Sequence, residues 1–316
     1  MPDKRLVLHA AFVLLLPVLV AAFGWSVWTA LLLVLLGILW RWAIVLQELR
    51  RSGTGPELVL ETISASHFVE KVRWCMDRLG LDYDEVAWAG TIGAFYLGRT
   101  VPRLHFRTGR VRSQIGNSPE ILRYLWGSCS ATHGAAAAFL EPTPERLEFE
   151  RRIDRCGVSL QVWVYYHLLG DRELCQHAWG ANSAAVAAWQ RRLIRLLFPV
   201  QAFMIRKAFR VDERHYRKSC EQIENLLAEA EALLADGRHS LLGGDDVNYT
   251  DLAFASIQSA WLQPAGYGGG VGIRIERARA PAAMRADIER WIEEYPRTTR
   301  YIEDLYAEER NEVSKP

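Results

Sequence analysis

A long uncharged apolar run near the start of the chain is the feature that most limits which folds the chain can adopt. Residues 6–40 contain no Asp, Glu, Lys or Arg. A helix needs about 20 apolar residues to span a membrane, so this run of 35 residues exceeds one average span and suffices for two short ones. Residues 22–26 provide a glycine, a serine and two aromatic side chains for a turn. The run therefore predicts a transmembrane helical hairpin, with helices at about 6–23 and 27–46.

Basic residues flank this run on both sides. Lys4 and Arg5 precede it, and Arg41 and Arg50 follow its apolar part. Positively charged flanks favour the cytoplasmic side, and a two-span hairpin places both flanks there. A single tilted span would put one flank on the wrong side, and a cleaved signal peptide fits poorly because the apolar run continues past the cleavage point. The sequence thus predicts a multi-pass anchor at 1–51 with cytoplasmic globular domains.

Composition excludes several classes of function. The chain has 38 Lys and Arg against 37 Asp and Glu, so it lacks the positive excess typical of nucleic-acid-binding proteins. Its five cysteines are odd in number and show neither a CxxC pair nor metal-ligand spacing. We therefore expect no nucleic-acid partner and no metal. The same pattern disfavours a disulfide framework and a thiol–disulfide oxidoreductase.

Hydrophobic periodicity divides the rest of the chain into a mixed part and a helical part. A turn-rich linker at 52–56 precedes the mixed part. The predicted elements there are a strand at 57–63, a helix at 68–79, a strand at 83–88, a strand at 101–106, a return strand from Val111 and a helix at about 117–126. From about residue 140 the pattern is helical, and the predicted helices span 144–169, 183–209, 213–236, 249–263 and 282–309. This order predicts an α+β domain followed by an all-α domain.

Four segments, in order, resemble motifs of the cytosolic-type glutathione transferase superfamily. SASHFVEKVR at 64–73 resembles its first strand-to-helix turn, and VPRL at 101–104 resembles its Val-Pro-x-Leu motif, whose proline is cis. GNSPEILRYL at 116–125 resembles its Ser-x-x-Ile-x-x-Tyr-Leu helix. LLGGDDVNYTDLA at 241–253 is similar to the capping box of its helical domain.

The resemblance implies a thioredoxin-like βαβ-ββα domain at 57–128 and an all-helical domain of the transferase type at 140–310. It implies glutathione as co-substrate and conjugation or thiolysis as the reaction. The thiol of glutathione should have a pKa near 8.5, so a transferase must stabilise the thiolate. A hydroxyl at the start of the first helix can donate to the sulfur. The resemblance gives this role to Ser66 first and to Ser64 second.

The resemblance also implies the binding residues. The Val101 backbone beside Pro102 would pair with the tripeptide, and Ser118 would receive the γ-glutamyl carboxylate at a helix start. Asn117 stands where the family has an acidic residue or Gln facing the ligand's amine, which weakens the glutathione affinity we expect. His67 stands where many members carry proline. The aromatic residues available for a pocket between the domains are Trp163, Tyr165, Tyr166, Trp261 and Tyr267.

The sequence leaves several alternatives open. With the predicted anchor, the leading hypothesis is a membrane-tethered transferase that acts on an apolar or lipid-derived electrophile, since such compounds concentrate in bilayers. The alternative is a non-catalytic, transferase-like interaction module, in which Ser64 and Ser66 only cap a helix. The resemblance also allows a homodimer. The aromatic residues could belong to the core. The basic, amphipathic segment at 189–210 could contact anionic lipid or pack its apolar face on the core.

Overall fold

The computed structural model describes residues 27–50, 57–63, 65–90, 92, 101–108, 111–270 and 272–310. Its first helix, α1, spans Val27–Arg50 and exposes large apolar side chains such as Leu31 and Leu35. The other predicted helix of the hairpin, 6–23, lies outside the described residues. Over the residues that are described, no helix has the length and apolar character needed to cross a membrane. The structure therefore does not support the predicted two-span anchor or the multi-pass localisation.

A four-stranded sheet forms the first part of the globular fold, in the order β2-β1-β3-β4. Its strands are β1 (Leu58–Ile63), β2 (Asp84–Trp88), β3 (Arg103–Thr108) and β4 (Val111–Gly116). Strand β1 is parallel to β2 and antiparallel to β3, and β3 is antiparallel to β4. The sheet is thus a βαβ unit followed by a hairpin, which is the thioredoxin-like order that the sequence predicts.

Helix α2 (His67–Arg78) joins β1 to β2. The sequence places it here because Ser66 can cap its first turn and apolar residues recur along it. All side chains from Val72 to Met76 are buried, and these five residues cover more than one helical turn. Helix α2 is therefore enclosed on all sides, between the sheet and the helices that follow.

Helical segments make up most of the rest of the described chain. They are α3 (Ser118–His133), a 3-10 turn (Gly134–Leu140), α4 (Pro144–Leu168), α5 (Arg172–Ala178), α6 (Ala188–Leu196), α7 (Phe198–Ala208), α8 (Glu213–Leu233), a 3-10 turn (Leu234–Asp236), α9 (Tyr249–Leu262), two further 3-10 turns (Tyr267–Gly270 and Arg277–Arg279), α10 (Ala282–Glu294), α11 (Pro296–Leu305) and a final π-helical turn (Tyr306–Arg310). Helix α4 packs against α8 and α9, and α9 also packs against α2. The core is therefore shared between the sheet part and the helical part.

Two of the predicted long helices are divided in the structure. The predicted helix at 183–209 is α6 and α7, and the predicted helix at 282–309 is α10, α11 and the final turn. Pro199 and Pro296 lie in the first turns of α7 and α11. Proline has no backbone N–H and disrupts a helix interior, but it fits a first turn. Periodicity alone therefore overestimated the length of both helices.

The capping box of α9 agrees with the sequence prediction. The Asn248 side chain accepts from the Thr250 N–H at 2.9 Å, and the Asp251 carboxylate accepts from the Asn248 N–H at 2.9 Å. Each side chain satisfies a backbone donor that the first helical turn leaves unpaired. This pair fixes the start of the helix that packs on α2.

Candidate functional site

Ser66 caps the helix at the centre of the fold. Its N–H donates to the Ile63 carbonyl oxygen at 2.9 Å, and its Oγ accepts from the Val69 N–H at 3.4 Å. The side chain is half-buried. A hydroxyl that accepts a hydrogen bond keeps its own hydrogen for donation, so Ser66 can cap α2 and donate to a ligand atom. Ser64, the second candidate, lies outside the described residues.

The sheet register brings Val101 next to this turn. Strand β1 pairs with β3 so that Glu61 lies opposite Arg103. Continuing that antiparallel register by two residues places Val101 opposite Ile63, whose carbonyl oxygen binds Ser66. The peptide bond between Val101 and Pro102 is cis, as the resemblance implies. The turn before α2 and the start of β3 therefore lie side by side.

Asn117 and Ser118 lie at the same end of the sheet, directly after β4. The Asn117 N–H donates to the Pro102 carbonyl oxygen at 3.1 Å, and its φ is 74°. Asparagine is one of the few non-glycine residues that adopt this region readily. Ser118 begins α3, is 1% exposed, and its Oγ has no hydrogen-bond partner among the described residues. The structure thus brings Ser66, Val101, Pro102 and the pair at 117–118 together.

The helical part holds the first turn of α2 in place. The His67 Nε2 lies 3.0 Å from the Gly157 carbonyl oxygen in α4, and a carbonyl can only accept, so the histidine donates. Burial lowers the pKa of His67 to about 4, against the opposing effect of this bond. A Cβ at Gly157 would lie 2.7 Å from the ring of Phe68. Close approach of α4 therefore fixes the position of Ser66.

The sequence analysis does not predict two groups of buried charges on α2. The Lys71 Nζ lies 2.6 Å from Glu150 Oε1 and 2.9 Å from Asp154 Oδ1. Burial opposes the charged form of Lys71, but these carboxylates raise its pKa overall. On the same helix, Arg73 binds Glu70 at 2.8 Å and Glu85 at 2.7 Å. The signal available in the sequence is the set of opposite charges, Glu70, Lys71 and Arg73, close together in a predicted helix.

Most of the aromatic residues considered for a pocket are core residues. Trp163 and Trp261 are fully buried, and Tyr267 is 6% exposed. The Trp163 Nε1 donates to Asp287 Oδ2 at 2.8 Å, so its polar atom is satisfied inside the protein. Tyr166 is half-buried and stacks on the ring of Tyr216 at 4.1 Å. The core alternative is correct for the two tryptophans and Tyr267.

The cysteines are unsuited to nucleophilic chemistry. All five are buried and unpaired. Burial raises the pKa values of Cys75, Cys156, Cys175 and Cys220 to about 12. Because the thiolate is the reactive form, these thiols are inert near neutral pH. Across the described ranges, no group of three or more His, Cys, Asp or Glu side chains could hold a metal ion.

Comparison with known proteins finds no match for the sequence, but it finds solved structures with a similar fold. No protein-family model matches this sequence, and no curated protein matches it. A solved structure that is similar is a glutathione transferase from Pseudomonas putida, with one glutathione disulfide bound per subunit. It has a TM-score of 0.50 and 13% identity, and the match covers 86% of this chain and 98% of that one. This chain has the glutathione transferase fold.

Further solved neighbours belong to the same class of protein. Glutathione S-transferase III in its apo form has a TM-score of 0.49 and 18% identity, over 82% of this chain and 95% of that one. A glutathione transferase family member from Pseudomonas fluorescens pf-5, with two glutathione bound, has a TM-score of 0.46 and 14% identity, over 83% and 95%. At 13% identity the P. putida comparison shows the glutathione transferase fold alone, so the role of each residue must follow from its own geometry.

Proposed function

We propose that this protein is a glutathione-dependent transferase in which the glutathione thiolate attacks an apolar electrophile. The observation that carries the proposal is the unpartnered, buried Ser118 hydroxyl at the same sheet edge as the Ser66 hydroxyl. The P. putida protein of the same fold binds glutathione disulfide. No membrane anchor enters this proposal.

Ser66 would stabilise the thiolate. Its hydroxyl donates to the sulfur, and the N-terminus of α2 favours negative charge at that place. Both effects lower the pKa of the glutathione thiol from about 8.5 towards neutrality. In conjugation, the sulfur forms a bond to the electrophilic carbon, the leaving group departs with its electron pair, and the thiol proton goes to solvent.

The remaining candidate residues would bind the peptide. The Val101 backbone beside Pro102 can pair with the main chain of glutathione as an added strand does. Ser118 would donate its hydroxyl to the γ-glutamyl carboxylate, which the start of α3 also attracts. Asn117 is exposed at the same place, and its amide oxygen would accept from the ligand's amine. This arrangement satisfies the buried hydroxyl of Ser118.

Glutathione titration tests binding directly. Thermal and urea unfolding of the full chain are followed with rising glutathione. A ligand at 100 times its Kd should stabilise the protein by about 2.7 kcal/mol. An unchanged melting temperature at millimolar glutathione would contradict the proposal and favour the non-catalytic interaction module.

Ser66→Ala tests the thiolate role. We expect turnover and the thiolate absorbance of bound glutathione to fall, by about 10- to 100-fold for the loss of one bond to a charged group. The matched control is Thr143→Ala, since Thr143 caps α4 with its Oγ accepting from the Arg146 N–H at 3.3 Å. Each variant loses about 1 kcal/mol of cap stability. Unchanged turnover in Ser66→Ala would move the role to Ser64 or away from serine.

A further inference from the structure

The segment that forms α6 and α7 is strongly basic. Residues 184–211 contain no Asp or Glu. They contain six cationic residues, which are Arg191, Arg192, Arg195, Arg206, Lys207 and Arg210. The whole chain, in contrast, is nearly neutral, with a net charge of +1. This segment therefore carries an excess of positive charge that acidic residues elsewhere in the chain balance.

Helix α7 is apolar on both of its faces. Phe198 and Ile205 are buried on the inner face. Val200, Phe203 and Met204 follow the i, i+3, i+4 spacing of a single helix face and are all exposed, Phe203 by 62%. The outer face of a helix on a globular protein is normally polar. An apolar outer face indicates a contact with something other than the described part of the chain.

Helix α6 continues the same surface. Trp189 and Leu196 are exposed, Leu196 by 75%, while Ile194 is buried on the opposite side. Arg192 lies between the two exposed apolar residues at three- and four-residue spacing, so all three share one face. We call the exposed side chains of α6 and α7, together with Arg210 just after α7, the apolar-basic face.

Among the described residues, no acidic side chain neutralises the exposed cations of this face. Arg192, Arg206, Lys207 and Arg210 are exposed. Within the part of the chain that the structure describes, none of these four forms an ion pair with an acidic side chain. The Lys207 Nζ lies 5.9 Å from the centre of the Phe203 ring. Charge and apolar area therefore lie side by side and both face outward.

The apolar-basic face belongs to the same end of the sheet as Ser66. The Ala89 N–H donates to Gln190 Oε1 of α6 at 2.9 Å, and the Gly90 N–H donates to the Trp179 carbonyl oxygen at 3.0 Å. Ala89 and Gly90 directly follow β2. Strand β2 is parallel to β1, and Ser66 follows β1. Helix α6 is thus attached at the end of the sheet where Ser66 lies.

We infer that the apolar-basic face binds the surface of an anionic lipid bilayer. Apolar side chains on such a face enter the boundary between headgroups and acyl chains, and the cations remain with the anionic headgroups. A second copy of this chain fits less well, because a twofold contact would bring two basic faces together. Nucleic acid would bind the cations and leave Phe203 and Leu196 without an apolar environment.

A fluorescent label placed on the face tests this inference in the full chain. All five native cysteines are buried, so Met204→Cys gives an accessible thiol for an environment-sensitive fluorophore. With vesicles of phosphatidylcholine and phosphatidylserine, we expect a blue-shifted and brighter emission that high salt reverses. Vesicles of phosphatidylcholine alone should leave the emission unchanged. The matched control is Asn225→Cys, an exposed position on α8, whose label should stay in water throughout.

A charge variant tests the electrostatic part. Removing two cations in Arg206→Gln/Lys207→Gln should weaken binding to the anionic vesicles by about 30-fold, at about tenfold per 1.4 kcal/mol. The control Arg214→Gln/Lys218→Gln removes two exposed cations from α8 and should bind as the unmodified chain does.

Three results would overturn the inference. The label at 204 could stay in water although the protein sediments with anionic vesicles, which would assign membrane binding to another segment. It could respond equally to neutral vesicles, which would remove the role of the cations. It could be shielded before vesicles are added, and a dependence of that shielding on protein concentration would identify a second copy. None of these readings involves glutathione, so they are independent of the proposed transferase activity.

Discussion

At the scale of single residues, Ser118 is the most informative side chain. Its hydroxyl is buried and, over the described residues, has no hydrogen-bond partner. Most buried polar groups in proteins are hydrogen-bonded, and an unsatisfied one costs about 1–3 kcal/mol. A hydroxyl that only caps a helix would accept from the backbone of its first turn. The side chain therefore fits a ligand-binding role better than a structural one.

Ser118→Ala should separate binding from stability. Because the lost hydroxyl has no partner in the protein, we expect the free energy of unfolding without ligand to stay the same or rise by up to about 1 kcal/mol. The Kd for glutathione, measured by calorimetry, should rise at least about tenfold.

The matched control for this variant is Ser240→Ala. Ser240 is equally buried, but its Oγ donates to Asp251 at 2.8 Å and accepts from Asn248 at 2.9 Å. Its loss should destabilise the protein by about 1–3 kcal/mol and leave the Kd for glutathione unchanged. Equal destabilisation by both substitutions would show that Ser118 is a structural residue.

His67 should make stability depend on pH. Its pKa is lowered to about 4 in the folded protein by burial, against about 6.5 in the unfolded chain. The unfolded state binds more protons between these values, so the contribution is complete above about pH 6.5 and is lost as the pH falls towards 4. Between about pH 7.5 and pH 5 the loss is about 2 kcal/mol.

His67→Gln removes the titrating group and keeps a side-chain donor for the Gly157 carbonyl oxygen. Urea unfolding at the two pH values should show a shallower pH dependence, smaller by about 2 kcal/mol than that of the unmodified chain. If the two proteins had the same pH dependence, His67 would not be the group that takes up a proton on unfolding.

The sequence could identify Ser66, Pro102 and Ser118 because each marks the start of an element. Helix caps and strand-entry prolines are local features with local physical causes. The sequence could not show that Ser118 lacks a partner or that His67 reaches Gly157, since both depend on packing between distant segments. The sequence therefore predicts which residues start each element, but it does not predict which individual polar atoms have a hydrogen-bond partner.

At the scale of elements, the contact between α2 and α4 positions the candidate site. Gly157 lies in α4, and a Cβ there would be 2.7 Å from Phe68 Cζ and 3.1 Å from Ile257 Cδ1. Phe68 and Ile257 pack closely against their neighbours, so neither side chain can move away freely. A glycine at 157 is therefore what allows α4 to approach the first turn of α2.

Gly157→Ala should separate these helices. We expect a destabilisation of about 1–3 kcal/mol from overpacking and a reduced transferase turnover, because Ser66 moves with α2. The control is Gly127→Ala in α3, where a Cβ meets nothing within 4 Å and the change should stabilise the helix by about 0.5–1 kcal/mol. Urea unfolding measures both. Stabilisation by Gly157→Ala would contradict the close approach of the helices.

Element prediction from the sequence succeeded where periodicity was strong. The strand predicted at 57–63 and the helix predicted at 68–79 are β1 and α2 within about one residue. For α7, the pattern at 189–210 gave which residues share a face, but both faces carry apolar residues. Only packing decides which of two apolar faces is inner. The exposed one could therefore not be identified from the sequence.

At the scale of the whole molecule, the last described turn, Tyr306–Arg310, closes over α2. Arg310 Nη1 lies 2.7 Å from Asp77 Oδ2, and Arg310 Nε lies 3.0 Å from Glu70 Oε1. The ring of Tyr306 packs on Trp74, with centres 4.5 Å apart. These contacts join segments more than 200 residues apart, so no local pattern could predict them. They explain how acidic side chains on the enclosed α2 are tolerated.

Arg310→Met should therefore act on the stability of the whole fold. The substitution keeps much of the side-chain volume and leaves two buried carboxylates without their shared cation, so we expect a loss of about 3–5 kcal/mol in the free energy of unfolding. The control Arg300→Met removes an exposed pair with Asp304, separated by 3.6 Å, and should change stability by less than about 1 kcal/mol. Urea unfolding, read by tryptophan fluorescence, compares the stability of the two variants. If Arg310→Met were as mild as its control, the closing turn would contribute little to the fold, and the remaining partners Arg73 and Tyr83 would suffice for Glu70 and Asp77.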